Sequence, residues 1–167
     1  MEVSNLILVR HGQSEWNKLD RFTGWVDVGL SEKGIEEAKS AGEKIKDTGI
    51  LFDNIFTSIL KRSVQTFDQI NKIFNIPANF KKDWRLNERH YGALQGLNKQ
   101  KMRDIHGDEQ VLIWRRSYFT APPKLDKKDV RHPRFDKLYK NIRLNELPDS
   151  ECLADTVKRF LPYWHKK

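Results

Sequence analysis

A run of apolar residues, Leu6, Ile7, Leu8 and Val9, leads straight into Arg10-His11-Gly12-Gln13-Ser14, and no other stretch constrains the fold as much. A β-favouring run without polar alternation is expected of a strand buried on both faces, as in parallel sheets covered by helices. Ligands of such sheets bind beyond the C-terminal ends of the strands. The junction therefore predicts a strand that delivers Arg10 and His11 to a binding edge. Gly12 would let the backbone approach a ligand closely. Arg10 offers a planar fork matched to phosphate oxygens, and Ser14 and Asn17 add neutral hydrogen-bonding groups. His11 can be neutral near pH 7, so one ring nitrogen can attack phosphorus while a hydrogen bond fixes the other.

The rest of the first half alternates short apolar runs with helical periodicity, as βαβ units do, and predicts an α/β fold with a mostly parallel sheet between helical layers. Ser31 is placed to cap a helix with Ile35, Ala38, Gly42 and Ile45 on one face and Gly49 as its stop. Asn54 to Thr57 reads as a second strand, and Ser58 as the cap of a helix carrying Arg62 in its first turn. A helix start attracts anions, and an arginine there adds charge-assisted bonds to the same group. Residues 121–149, with Pro122, Pro123, Pro133 and Pro148 among many charges, read as a long irregular excursion. A last helix is expected from Ser150, with Leu153, Val157, Leu161 and Trp164 on one face and a bend at Pro162. The whole chain, residues 1–167, reads as a single domain.

Composition narrows the function classes. The apolar run at Leu6 is too short for a signal-peptide core or a membrane span, and Glu2 precedes it, so a cytoplasmic protein without a membrane partner is expected. The single cysteine, Cys152, fits a reducing compartment and a structural thiol. Net charge is +8, and nearly all of the excess lies in residues 99–167, which carry 17 basic and 10 acidic groups against 14 and 13 before them. A small polyanion, nucleic acid or a membrane surface would each suit this charge. Trp114, Tyr118 and Phe119 adjoin the arginines at a spacing that fits one helical face packed on a core, so stacking on nucleic acid is not expected. His90, His106, His132 and His165 lack metal-ligand spacing, and no metal is expected.

Arg10-His11-Gly12 with Ser14, followed by Thr57-Ser58, Leu60, Arg62, Gln65 and Thr66, resembles the histidine phosphatase superfamily, whose members form a phosphohistidine on the first-strand histidine. Glu15-Trp16-Asn17, Phe22-Thr23-Gly24-Trp25 and the stretch Arg85 to Lys99 resemble its 2,3-bisphosphoglycerate-dependent phosphoglycerate mutase branch. Gly107 to Gln110, Trp114-Arg115-Arg116 and Pro122-Pro123 continue the likeness.

The resemblance implies that His11 is the phosphorylated nucleophile, that Arg10 and Arg62 grip the phosphoryl group, and that Glu88 is the general acid and base. It implies substrate contacts from Gly12, Gln13, Ser14, Glu15, Trp16, Asn17, Thr23, Gly24, Arg89, His90, Tyr91, Lys99, Arg115 and Arg116. 2,3-Bisphosphoglycerate is the implied priming phosphoryl donor and a small phosphorylated molecule the implied partner, with a dimer or tetramer as in the family. The related activities are bisphosphoglycerate mutase and phosphatase, and the different-class alternative is a non-catalytic anion binder. The family also has a later strand leading to a second active-site histidine in a Gly-His-Gly-Asn type motif. These 167 residues contain none, so the fold is expected to lack that C-terminal strand and its helix.

Overall fold

The computed structural model describes residues 5–75 and 80–166. In chain order it has α1 (Glu15–Lys18), α2 (Glu32–Asp47), β1 (Phe56–Thr57), α3 (Lys61–Phe74), β2 (Lys81–Lys82), α4 (Lys99–His106), α5 (Asp108–Arg116) and α6 (Leu153–Trp164). The architecture is α/β, with a small parallel sheet: β1 pairs with β2 in the register Phe56 to Lys81 and Thr57 to Lys82.

α2 follows its sequence signals. Ser31 accepts a hydrogen bond from the Gly34 amide as N-cap, and Gly49 stands just past the end at φ +69°. Gly42 faces Ile70 and Ile73 of α3, where a side chain would press on Ile73 Cδ1 at 2.7 Å, so the missing Cβ sets how closely the two helices pack. Phe22, Leu94 and Val111 form one buried cluster under Tyr91, Met102 and Trp114. Trp25, Tyr139 and Leu147 form a second, joined by Ile59, Trp84 and Ile142.

Several expectations are corrected. Leu6 to Val9 forms no strand among the described residues, and Leu6 and Leu8 are 63% and 82% exposed. A strand needs a ladder partner, and among the described residues none pairs with this run, of which Ile7 alone is half-buried. The cap of α3 is Leu60, without a side-chain bond, because Ser58 Oγ is taken by the Leu60 amide two residues early. α6 begins at Leu153: Cys152 and Asp155 make a reciprocal cap, while Ser150 Oγ donates to the Pro122 carbonyl. α5 ends at Arg116, so Tyr118 and Phe119 leave the helical face and Phe119 is 82% exposed; Trp114 alone of the three packs on the core.

Residues 121–149 contain neither α-helix nor strand. Short 3-10 turns at Pro133–Phe135, Lys137–Tyr139 and Leu144–Glu146 shape them. Leu125, Tyr139 and Leu147 are nonetheless buried and pin the segment to the body.

Candidate active site

The backbone that leaves Val9 is held at His11 and Gly12 by α2 and α3. The Gly12 amide donates to Thr66 Oγ1, and the Gln13 carbonyl accepts from the Ser31 amide. Gly12 leaves no room for a side chain: a Cβ there would run into the carbonyl of Gly34, and one on Gly34 into that of Gln13.

His11 Nδ1 lies 2.7 Å from the Gly12 carbonyl oxygen. A carbonyl only accepts, so Nδ1 carries the proton and Nε2 keeps its lone pair. Arg62 Nε–H points at Nε2 from 3.3 Å. Burial lowers the pKa of the imidazole below its ordinary value and the charges of Arg62 and Arg10 lower it further, against the opposing pull of the Gly12 carbonyl and Glu88. The ring is thus held neutral with its unprotonated nitrogen toward a guanidinium.

Arg62 is fully buried. It also donates to the carbonyls of Val26 at 3.2 Å and Gly24 at 2.8 Å, and to Glu88 Oε2 at 2.9 Å. Glu88 is the outer member of this ion pair, its side chain 38% exposed. Arg10, His11, Arg62 and Glu88 line one cleft of about 290 Å³, together with Ser63. The cleft thus brings together a neutral imidazole, two guanidinium groups and a carboxyl.

The other candidate residues divide. Thr23 Oγ1 and Arg89 Nη1 are buried without a hydrogen-bond partner, as are Thr57 Oγ1, Asn87 Oδ1, His90 Nε2 and Gln95 Nε2. Arg89 lies over the Tyr91 ring, 5.3 Å from its centroid, and Nη2 donates to the Arg115 carbonyl, which brings three of the candidates together. Lys99 is bound to Asp20 at 3.3 Å, and Arg116 is exposed at the end of α5. Ser14 and Asn17 hold each other in the capping box of α1, so their oxygens serve the cap. Gln13 bonds Ser31 and, through its amide, Glu37. Glu15 is exposed and Trp16 half-buried, with its ring edge against Gly96.

His90, an expected substrate contact, is held by its neighbours in the protein. It is wholly buried, its Nδ1 accepts from the Gly92 amide at 3.0 Å, and its ring packs edge-on against Trp25. Burial, reinforced by neighbouring His132, pushes its pKa down to about 3. Among the described residues no group of three His, Cys, Asp or Glu side chains is placed to hold a metal, and no helix is long and apolar enough to cross a membrane.

Two residues that sequence reasoning gave no role touch the main chain of Glu88. Trp25 Nε1 donates to its carbonyl at 2.7 Å, and Arg159 Nη2 does so at 3.0 Å. Their separations in sequence, 63 and 71 positions, leave no local pattern that would have announced either contact.

The chain is 52% identical over 165 residues to the 2,3-bisphosphoglycerate-dependent phosphoglycerate mutases of two Porphyromonas gingivalis strains, a match covering 98% of this chain. It spans 66% of the length of those relatives. Among solved structures, a mycobacterial glucosyl-3-phosphoglycerate phosphatase in complex with VO3 superposes with a TM-score of 0.67 at 25% identity, over 93% of this chain and 63% of that one. A protein described as mycobacterial hydrolase 1 gives a TM-score of 0.68 at 24% identity, over 93% and 61%. Residues 6–162 match the histidine phosphatase superfamily (branch 1), and the chain belongs to that family.

Proposed function

We propose that this chain carries the phosphoryl-transfer site of a cytoplasmic 2,3-bisphosphoglycerate-dependent phosphoglycerate mutase, which interconverts 3-phosphoglycerate and 2-phosphoglycerate in glycolysis and gluconeogenesis. The observation that carries the reading is the setting of His11: Nδ1 spent on the Gly12 carbonyl, Nε2 unprotonated and facing Arg62. In this reading the Nε2–P bond forms as the ester P–O bond breaks. The departing oxygen takes a proton from the carboxylic acid form of Glu88, and the resulting carboxylate recovers one from the hydroxyl that accepts the phosphoryl group. Arg10 and Arg62 hold the equatorial oxygens in flight.

The donor set suits a small polyanion. Arg10 and Arg62 at the cleft are its strongest feature, and Thr23, Gly24, Arg89, Tyr91, Lys99, Arg115 and Arg116 are the set assigned to the carboxylate and second phosphate. 2,3-Bisphosphoglycerate, when bound, supplies the phosphoryl group that primes His11. The 52% identity to enzymes named for that dependence supports this choice over other phosphate esters.

Incubation with 2,3-bisphosphoglycerate labelled on phosphorus tests the reading. One acid-labile phosphate per chain is expected, lost in His11→Ala; label retained at the wild-type level in that variant would remove His11 from the role. A second reading, net phosphatase activity, is favoured by the solvent exposure of Glu88, which lets water reach the carboxyl. The product formed from 3-phosphoglycerate separates the two: 2-phosphoglycerate for the mutase, inorganic phosphate and glycerate for the phosphatase.

A further inference from the structure

We propose that Arg159, on α6, is a positioning residue that fixes Glu88 for proton transfer; the proposal rests on the reading of Glu88 as proton donor. The residues around Glu88 have little regular structure of their own. After the 3-10 turn Trp84–Leu86 the chain runs through Glu88 to Tyr91 without helix or strand. Something must hold that stretch, since about 1 Å of misplacement of a reacting group can cost 10²-fold in rate.

Arg159 does the holding. Its Nη1 donates to the carbonyl of Arg85 at 2.7 Å, and Nη2 to those of Asn87 at 2.9 Å and Glu88 at 3.0 Å. The guanidinium is itself fixed by Glu151, with Nε to Oε1 at 2.6 Å and Nη2, whose two hydrogens are shared among three acceptors, to Oε2 at 3.0 Å. The side chains of this pair are 9% and 4% exposed. Glu151 returns to the same stretch: Oε2 accepts from the His90 amide at 2.8 Å, and the Glu151 amide donates to the His90 carbonyl at 3.0 Å. Trp25, beneath the guanidinium at 5.5 Å, donates its indole N–H to the Glu88 carbonyl.

The main chain of Glu88 is therefore gripped from α6 while its carboxylate is gripped by Arg62. A rigid fork is required, because a lysine ammonium is a single point and cannot span three carbonyls and a carboxylate together. An ion pair serving α6 alone would not direct its donors to the carbonyls of Arg85, Asn87 and Glu88.

The test compares two esters on the full chain. As the Nε2–P bond forms and the P–O bond breaks, the oxygen leaving an alkyl ester such as 2,3-bisphosphoglycerate, through which 3-phosphoglycerate turnover passes, needs the Glu88 proton, whereas p-nitrophenolate departs without one. Arg159→Met is expected to slow turnover of 3-phosphoglycerate about 10²-fold and of p-nitrophenyl phosphate by less than about threefold. Arg159→Lys should fall between Met and wild type. Glu88→Gln should show the same split, and adding Arg159→Met to it should cost nothing more. Equal losses on both esters, or losses that multiply in the double variant, would overturn the proposal. If the wild-type chain turns over neither ester, the functional reading falls, and positioning is read from hydrogen exchange instead. The His90 amide should then exchange at least about tenfold faster in Arg159→Met, or in Arg159→Lys if the former does not fold, with α2 and α3 amides unchanged. An unaltered His90 amide would dismiss it.

Discussion

Gly12 and Gly34 meet backbone to backbone, so that neither position has room for a side chain although one lies beside His11 and the other in the first turn of α2. This contact, together with the Gln13–Ser31 bonds, seats His11 against the helix. Gly12→Ala and Gly34→Ala should each destabilise the fold by the upper end of about 1–3 kcal/mol, the usual range for overpacking. Gly49→Ala is a useful contrast, because nothing lies within 4 Å of its Cβ and only the positive φ is strained. A cost of about 1–2 kcal/mol is expected there. Urea unfolding of the three variants checks the order.

Arg62→Ala should impair stability as well as chemistry. A first-turn arginine suggests a side chain that reaches for ligand and packs little, but this one is fully buried and bonds the Gly24 and Val26 carbonyls. Its removal leaves the Gly24 carbonyl unpaired, while that of Val26 keeps the Val28 amide, and should cost about 1–3 kcal/mol, the range for one orphaned buried group. A variant as stable as wild type in urea would show that water replaces the guanidinium freely.

Acid should unfold the chain partly through His90. Its imidazole titrates near 6.5 when unfolded and at about 3 when folded, so between those values the unfolded state holds the extra proton. Stability from this group is therefore complete above pH 6.5 and lost as pH falls toward 3. At about 1.4 kcal/mol per unit the loss is on the order of several kcal/mol. His90→Gln should be less stable at pH 7 but flatter between pH 6.5 and 4 in thermal scans. An unchanged slope would place the acid sensitivity elsewhere.

His11 has its pKa moved in the same direction for the same leading reason, burial. The acid limb of its phosphorylation rate should fall below pH 6.5, since the folded imidazole stays unprotonated where a free one would charge. NMR titration of the ring in the resting protein checks this, and a midpoint above 6.5 would contradict the geometry at Nε2.

Much of this site was legible in the residues themselves. Ser31, Gly42 and Gly49 act at the positions their types announce, because caps, close helix contacts and left-handed stops are local requirements. Arg10, His11, Arg62 and Glu88 meet at one cleft as the motif resemblance implied. What could not be read is what depends on distant chain. Whether Leu6 to Val9 becomes a strand is decided by a neighbour, not by its own β propensity. The cap of α3 was misplaced by a few residues because Ser58 makes a shorter local bond that competes for its hydroxyl. The grip of Arg159 on Arg85, Asn87 and Glu88 crosses more than 70 positions and follows no periodicity.

The two carbonyls that hold Arg62 have a further consequence. Gly24 and Val26 anchor its guanidinium in the resting protein, so its orientation toward His11 is settled during folding and not on arrival of a phosphate ester. A tetrahedral or trigonal-bipyramidal oxyanion meets dipoles that need not reorganise, and the reorganisation energy saved appears directly in the barrier.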